Sequence, residues 1–193
     1  MAFAPKLALQ NIHFNAQDFE TLAGLESQHF WFRARNKLIC TALQRYFPQI
    51  NNFLEIGCGT GFVLANIKKR FPMLSAYGSD IHVTSLPYAQ KRLLSDTNLF
   101  QMDAKNMPFV KQFDVIGAFD VLEHIEEDTI VLQQIHAALN DHGGVILTVP
   151  QHPWLWSKTD LDACHARRYK VNELQQKLKL AGFNIIMTSS FVR

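Results

Sequence analysis

The sequence is short of cysteine: three residues in 193, at Cys40, Cys58 and Cys164. Thiols so few and so scattered make neither a disulfide framework nor a four-cysteine zinc site. They suit a reducing compartment, and a cytoplasmic protein is expected. Charge of one sign is also lacking, since the formal net charge is +2. That leaves no broad basic field for nucleic acid or an anionic membrane. No apolar run reaches the roughly 18 residues that span a bilayer. The opening MAFAPKLALQNIHFN does not carry a charged segment followed by an apolar core, so no secretory leader is expected. Internal repeats and low-complexity tracts are absent. Hydrophobic residues make up 48% and charged residues 19%, the balance of a globular chain. A chain this long folds as one domain and buries about 70% of its unfolded surface without staples.

Short apolar runs alternate with longer amphipathic ones, which predicts βαβ units and a parallel sheet. A helical N-terminal segment (1–50) should contain two helices between Asp18 and Phe47, weakened at Gly24 and stopped by Pro48. A core over 51–150 should hold strands at Phe53–Ile56, Leu74–Ser79, Leu99–Met102, Phe113–Phe119 and Gly144–Val149. Helices are expected at Thr60–Arg70, Thr84–Leu94 and Asp128–Leu139. Lys68, Lys69 and Arg70 fall in a last helical turn, where positive charge meets the helix C-terminus favourably. A third stretch, 151–193, should hold a long substrate-side loop from Pro150 to Tyr169, a helix Val171–Ala181 capped by Gly182, and a sixth strand Phe183–Phe191.

The sharpest local signal is Glu55-Ile56-Gly57-Cys58-Gly59-Thr60-Gly61, a glycine turn between a strand and a helix. Glycines are needed where the backbone turns tightly and a ligand comes close. A dinucleotide fingerprint would need a glycine where Phe62 stands, and Glu55 would repel a diphosphate. A nicotinamide-dependent oxidoreductase is therefore the weaker reading. Three more acids close successive strands: Asp80, Asp103 and Asp120. Ligands of doubly wound sheets bind at these strand ends, and an acid placed like Asp80 can accept hydrogen bonds from both ribose hydroxyls. The set describes a nucleoside with a cationic tail.

In these segments the chain resembles the class I S-adenosylmethionine-dependent methyltransferases, and most of all their small-molecule branch related to ubiquinone biosynthesis. FLEIGCGTG resembles the family's first motif, GSD (78–80) its ribose acid, QMDA (101–104) its adenine-reading segment, and FDVIGAFDVLEHI (113–125) its fourth strand and the turn beyond. The resemblance implies a Rossmann-like α/β fold of three layers and S-adenosylmethionine as cofactor. Gly57, Cys58, Gly59 and Gly61 would lie against the methionine part, and Glu55 would hold the loop or face the ammonium. Asp80 with Ile81 would bind the ribose, Asp103 and Ala104 the adenine, and Phe119 and Asp120 would lie near the sulfonium. The family sheet has seven strands, against six counted here. We therefore expect the segment LALQNIHF, or a partner chain, to supply a strand.

QHFWFRARN (28–36) is an aromatic helix carrying Arg33 and Arg35, one of which can fork onto the methionine carboxylate. In the substrate-side loop, Trp154 and Trp156 offer an apolar wall. Arg167, Arg168 and Tyr169 offer contacts to an acidic group. These aromatics can equally pack on the sheet and the arginines cap helices. His124, His152 and His165 are the candidate bases for a hydroxyl acceptor. His152, Cys164 and His165 do not have zinc-ligand spacing, so no metal is expected. The base-methylating branch has an Asn/Asp-Pro-Pro-Tyr segment where this chain has FDVLE, which argues against a nucleobase acceptor. The sequence thus predicts methyl transfer to a small molecule, to oxygen before nitrogen or carbon, by a monomer or homodimer. A cofactor-binding module without turnover is the alternative.

Overall fold

The computed structural model describes residues 1–8, 16–93 and 97–191. Two leading helices, α2 (Ala16–Leu25) and α3 (Phe30–Tyr46), follow a single-turn α1 (Pro5–Ala8). The chain then alternates as the hydropathy pattern requires: β1 (Asn52–Ile56), α4 (Phe62–Arg70), β2 (Ser75–Asp80), α5 (Leu86–Arg92), β3 (Asn98–Gln101) and β4 (Phe113–Phe119). After a 3-10 turn at Leu122–His124 come α6 (Asp128–Ala138), β5 (Leu139–Thr148), α7 (Lys158–Asp162) and α8 (Val171–Leu180).

The five described strands form one parallel sheet in the order β3-β2-β1-β4-β5. The order reverses between β1 and β4. That is the switch point of a doubly wound sheet, where a crevice opens at the strands' carboxyl ends. Strands covered on both faces read as near-continuous apolar runs rather than alternating ones, and β1 and β4 do apart from Asn52, Glu55 and Asp114. One core layer packs Ile39, Leu43, Leu64, Ile67 and Ala89 against Phe53 and Val115. The other packs Val131, Leu132 and Ile135, with the half-buried Leu174 and Leu178, against Leu54 and Ile116. The basic trio ends α4 as expected, with an addition: Lys68 is buried and donates to the Pro72 and Leu74 carbonyls at 3.1 and 2.6 Å.

One expectation fails. Phe183–Phe191 joins no ladder and is not a strand, so five strands are described where six were counted. Its Phe-Asn-Ile-Ile pattern fits a half-buried surface, but a strand also needs an edge to pair with. The segment instead reaches across the molecule by side chains, with Gln175 donating to Thr188 (3.1 Å) and Phe191 stacked on Trp31. LALQNIHF lies largely outside the described residues. The first residues dock at the far edge of the sheet, where Ala2 bridges Gln101 on β3 and the Phe3 amide donates to the Gln101 carbonyl at 2.8 Å.

The long loop after β5 is built rather than irregular. A Gln151–Tyr169 bridge closes it, and α7 starts with a capping box of Ser157 and Asp160. Among the described residues no disulfide forms, and no helix is long and apolar enough to cross a membrane.

Candidate functional site

The cleft lies where β1, β2, β3 and β4 end, and the four acids expected at strand ends are all found there or just behind it. The glycine turn after β1 is shaped by positive φ at Gly57 (65°) and Gly59 (51°), a region that side chains other than glycine enter at a cost. The two glycines serve different needs. A Cβ on Gly57 would meet Val121 Cγ2 at 2.5 Å, whereas one on Gly59 would meet nothing within 4 Å. Gly59 therefore turns a bare backbone face into the open cleft. Asp80 holds this turn. Its Oδ2 accepts from the Gly59 amide at 2.8 Å and its Oδ1 from the His82 amide at 2.8 Å. Burial nevertheless raises the Asp80 pKa above the usual carboxylate value, with the backbone donors acting against it. Ile81 follows half-buried. Asp103 turns its Oδ1 to the Lys105 amide (2.9 Å), next to the buried Ala104.

Glu55 and Cys58 lie under the turn, both buried. Burial pushes the Glu55 carboxyl well above its usual range, and the nearby Arg35 opposes the shift. The Leu64 amide donates to it, while Oε2 has no partner. Burial likewise raises the Cys58 thiol.

Arg35 and Arg33 part company on α3. Arg35 points into the cleft, pairs with Asp120 and stacks 4.6 Å over Trp31, leaving its buried Nε without a partner. Arg33 lines a small separate hollow with Asn36, Cys40 and Phe62. Asp120 takes a strained backbone conformation that hydrogen bonds hold in place. Its φ is 58°, its amide donates to the Thr148 carbonyl (2.9 Å), and its Oδ1 accepts from Thr148 Oγ1 (2.9 Å). Phe119, buried, lines the same cleft wall.

A network absent from the sequence reading joins the leading helices to the glycine turn. Arg92 donates to Glu26 (2.6 Å), to Thr60 Oγ1 (2.7 Å) and to the Ala23 carbonyl (3.0 Å), and Thr60 Oγ1 donates to Glu26 at 2.5 Å. Glu26, Thr60 and Arg92 lie far apart along the chain, and no local spacing marks them.

In the loop after β5, Arg167, Arg168 and Tyr169 are engaged within the protein. Arg168 forks onto both oxygens of Asp160 (2.6 and 2.9 Å), which holds that carboxyl far below its usual range. Arg167 pairs with Asp128 at 2.8 Å. Tyr169, 1% exposed, donates to Asp128 at 2.7 Å, and Lys177 reaches the same carboxylate at 2.6 Å. Burial would raise the Asp128 pKa, but these three donors outweigh it and the value is lowered. The pairs fasten the loop to the start of α6 and the turn after β4, so their visible work is structural. Trp154 lies exposed at the rim, Trp156 is exposed but does not line the cleft, and His152 sits beside Trp154 with a left-handed φ of 65°. His124 and His165, 41 residues apart by number, meet with ring centroids 4.8 Å apart. His124 still reaches solvent at one side, but partial loss of surrounding water, helped by His165, pushes its pKa down to about 4. Glu123 is buried beside them, and burial followed by the Asp120 charge lifts its carboxyl to about 9.

A family model described as "Methyltransferase domain" matches residues 30–188. The fold is similar to Haemonchus contortus phosphoethanolamine N-methyltransferase 2, solved with S-adenosyl-L-methionine. That match has a TM-score of 0.74 at 20% identity and covers 91% of this chain and 43% of that one. A malonyl-[acyl-carrier protein] O-methyltransferase of Halalkalibacterium halodurans is 31% identical over 96 residues, 47% of this chain and 35% of that protein. A ribosomal RNA small subunit methyltransferase C of Haemophilus ducreyi is 32% identical over 94 residues, 49% of this chain and 24% of that protein. The matches thus span well under half the length of these curated relatives. The chain belongs to the methyltransferase-domain family, of the class I kind that uses S-adenosylmethionine.

Proposed function

We propose that this chain transfers a methyl group from S-adenosylmethionine to a small-molecule acceptor, at oxygen in preference to nitrogen or carbon. The observation that carries the reading is the open backbone face of Gly59, pinned by Asp80 and facing the same cleft as Arg35 and Asp120. A ligand with a sugar, a carboxylate and a cationic sulfur suits these partners. The orphaned Arg35 Nε would take the methionine carboxylate, the unpartnered Glu55 oxygen lies where an ammonium is welcome, Asp80 would take the ribose, and Asp103 with Ala104 the adenine end. The donor brings its own activated methyl group. The chain's part is to bind and align the two reactants and to keep water out. The leading helices would contribute to the last, since Trp31 and Phe32 form part of the cleft's wall.

The near-neutral charge and the absence of a base-methylase segment support a small acceptor over nucleic acid. No disulfide forms among the described residues, which fits a reducing cytoplasm. The test is calorimetric titration of the chain with S-adenosylmethionine and S-adenosylhomocysteine, with NAD as control. It is followed by labelled-methyl transfer to small-molecule and RNA fractions of a cell extract. Saturable binding of the adenosyl ligands alone and label in the small-molecule fraction are expected. Tighter binding of NAD, or label in RNA, would overturn the reading. Donor binding with no label anywhere would favour the module without turnover.

A further inference from the structure

We propose that Glu123, His124 and His165 form a binding site for one divalent first-row transition-metal ion on the acceptor side of the cleft. One ligand atom from each residue lies within 4.8 Å of the other two. Glu123 is 1% exposed, and its Oε2 has no hydrogen-bond partner. A carboxylate so deeply buried requires a cation or a proton. The neighbouring cation, Arg35, is already engaged by Asp120.

The two imidazoles are arranged as ligands usually are. A metal-binding histidine donates its second ring N–H to a carboxylate or a backbone carbonyl, which fixes the ring and leaves the other nitrogen's lone pair for the metal. His165 Nδ1 donates to Asp160 Oδ1 at 2.9 Å, and His124 donates to the Cys164 backbone carbonyl. Each ring so has one nitrogen outside these bonds, the one that would bind the ion. The supporting shell is itself fixed. Asp160 is buried, held by the Arg168 fork and by the Ser157 amide (2.8 Å). A left-handed turn at Cys164 (φ 55°) aims His165 inward, and the Ala166 amide donates to the Glu123 carbonyl at 2.6 Å, fastening the loop to the turn that bears the other two ligands.

Bonds of about 2.0–2.2 Å set ligand atoms about 3–3.5 Å apart, so the three groups need to draw together by about 1–2 Å. His124, exposed on its 3-10 turn, has room to make that move. Two imidazoles and one carboxylate on one side of an ion suit zinc, manganese, iron or cobalt better than magnesium or calcium, and they leave coordination positions open. Glu123, His124 and His165 line the same cleft as Gly59 and Asp120. The ion would hold an acceptor oxygen there, a role that rests on the proposed function, although the site itself does not.

The test uses the full chain, stripped with a chelator and titrated with zinc by calorimetry and with cobalt by visible absorption. One ion per chain with micromolar or tighter affinity, and cobalt bands of a nitrogen–oxygen site, are expected. His124→Ala, His165→Ala and Glu123→Gln should each weaken zinc binding at least about tenfold, with S-adenosylhomocysteine affinity measured alongside as a check on folding. His124 is the safest of the three to change because its side chain reaches solvent. No saturable binding below about 1 mM, or binding that the folded His124→Ala protein retains in full, would overturn the proposal and leave Glu123 as a buried neutral acid. Zinc binding without any donor binding would instead remove the proposed function and keep the metal site.

Discussion

Arg35 on α3 and Asp120 at the end of β4 form an ion pair between residues 85 apart in sequence, with side-chain exposures of 10% and 28%. The pair fastens the leading helix to the sheet at the switch point. It also presents a guanidinium, with its Nε still unused, to whatever enters the cleft.

Arg35→Ala should weaken S-adenosylmethionine binding by about 1–3 kcal/mol, the range of a charge-assisted hydrogen bond in a partly buried site. Arg33→Ala should leave affinity within about twofold, because Arg33 lines a different hollow. Calorimetric titration of both variants decides it, and equal losses would remove Arg35 from the carboxylate role.

The two glycines of the turn should fail in different ways. Gly57→Ala drives a methyl group into Val121 at 2.5 Å, so the melting temperature should drop. The Cβ of Gly59→Val meets no protein atom within 4 Å, so the side chain would occupy the space proposed for the ligand, and its positive φ costs about 1–2 kcal/mol. A folded Gly59→Val protein without donor binding is expected. Normal binding would mean that the turn does not approach the cofactor.

Glu26→Ala leaves Arg92 and Thr60 facing a gap where a buried carboxylate stood. Urea unfolding should show a loss of about 2–4 kcal/mol, since removing one member of a buried ionic network strands the other. A midpoint unchanged in urea would mean that the network forms without contributing stability.

Glu55 makes stability depend on pH. Its folded pKa is raised, so its contribution is complete below the unfolded value near 4.3 and drains away as pH rises through the folded value. Glu55→Gln should therefore melt with a flatter profile than the parent from about pH 4.3 upward. Parallel profiles would show that Glu55 stays charged in the fold.

The strands, the glycine turn and the acids at strand ends were legible because each is local: a few residues of fixed spacing in a fixed conformation. The boundaries followed to within a few residues, as for α2 and α3, which break after Gly24. Relationships between distant residues were not legible. The pairing of Arg168 with Asp160, which engages an arginine expected on the substrate, depends on how the loop folds back. So does the meeting of His124 with His165 on either side of a buried Glu123. The missing sixth strand fails for the same reason: Phe183–Phe191 has strand-like residues, but whether a ladder forms is decided by the neighbour.

The outer edge of β5 carries one further consequence. Among the described residues β5 pairs only with β4, so its amides divide by parity: those turned toward β4 are hydrogen-bonded and those turned outward are not. Isotope exchange along Gly144–Thr148 should therefore alternate residue by residue, slow then fast, while β1 in the middle of the sheet is slow throughout. Any molecule that lays a strand along this edge would erase the alternation, and the exchange pattern alone would report its arrival.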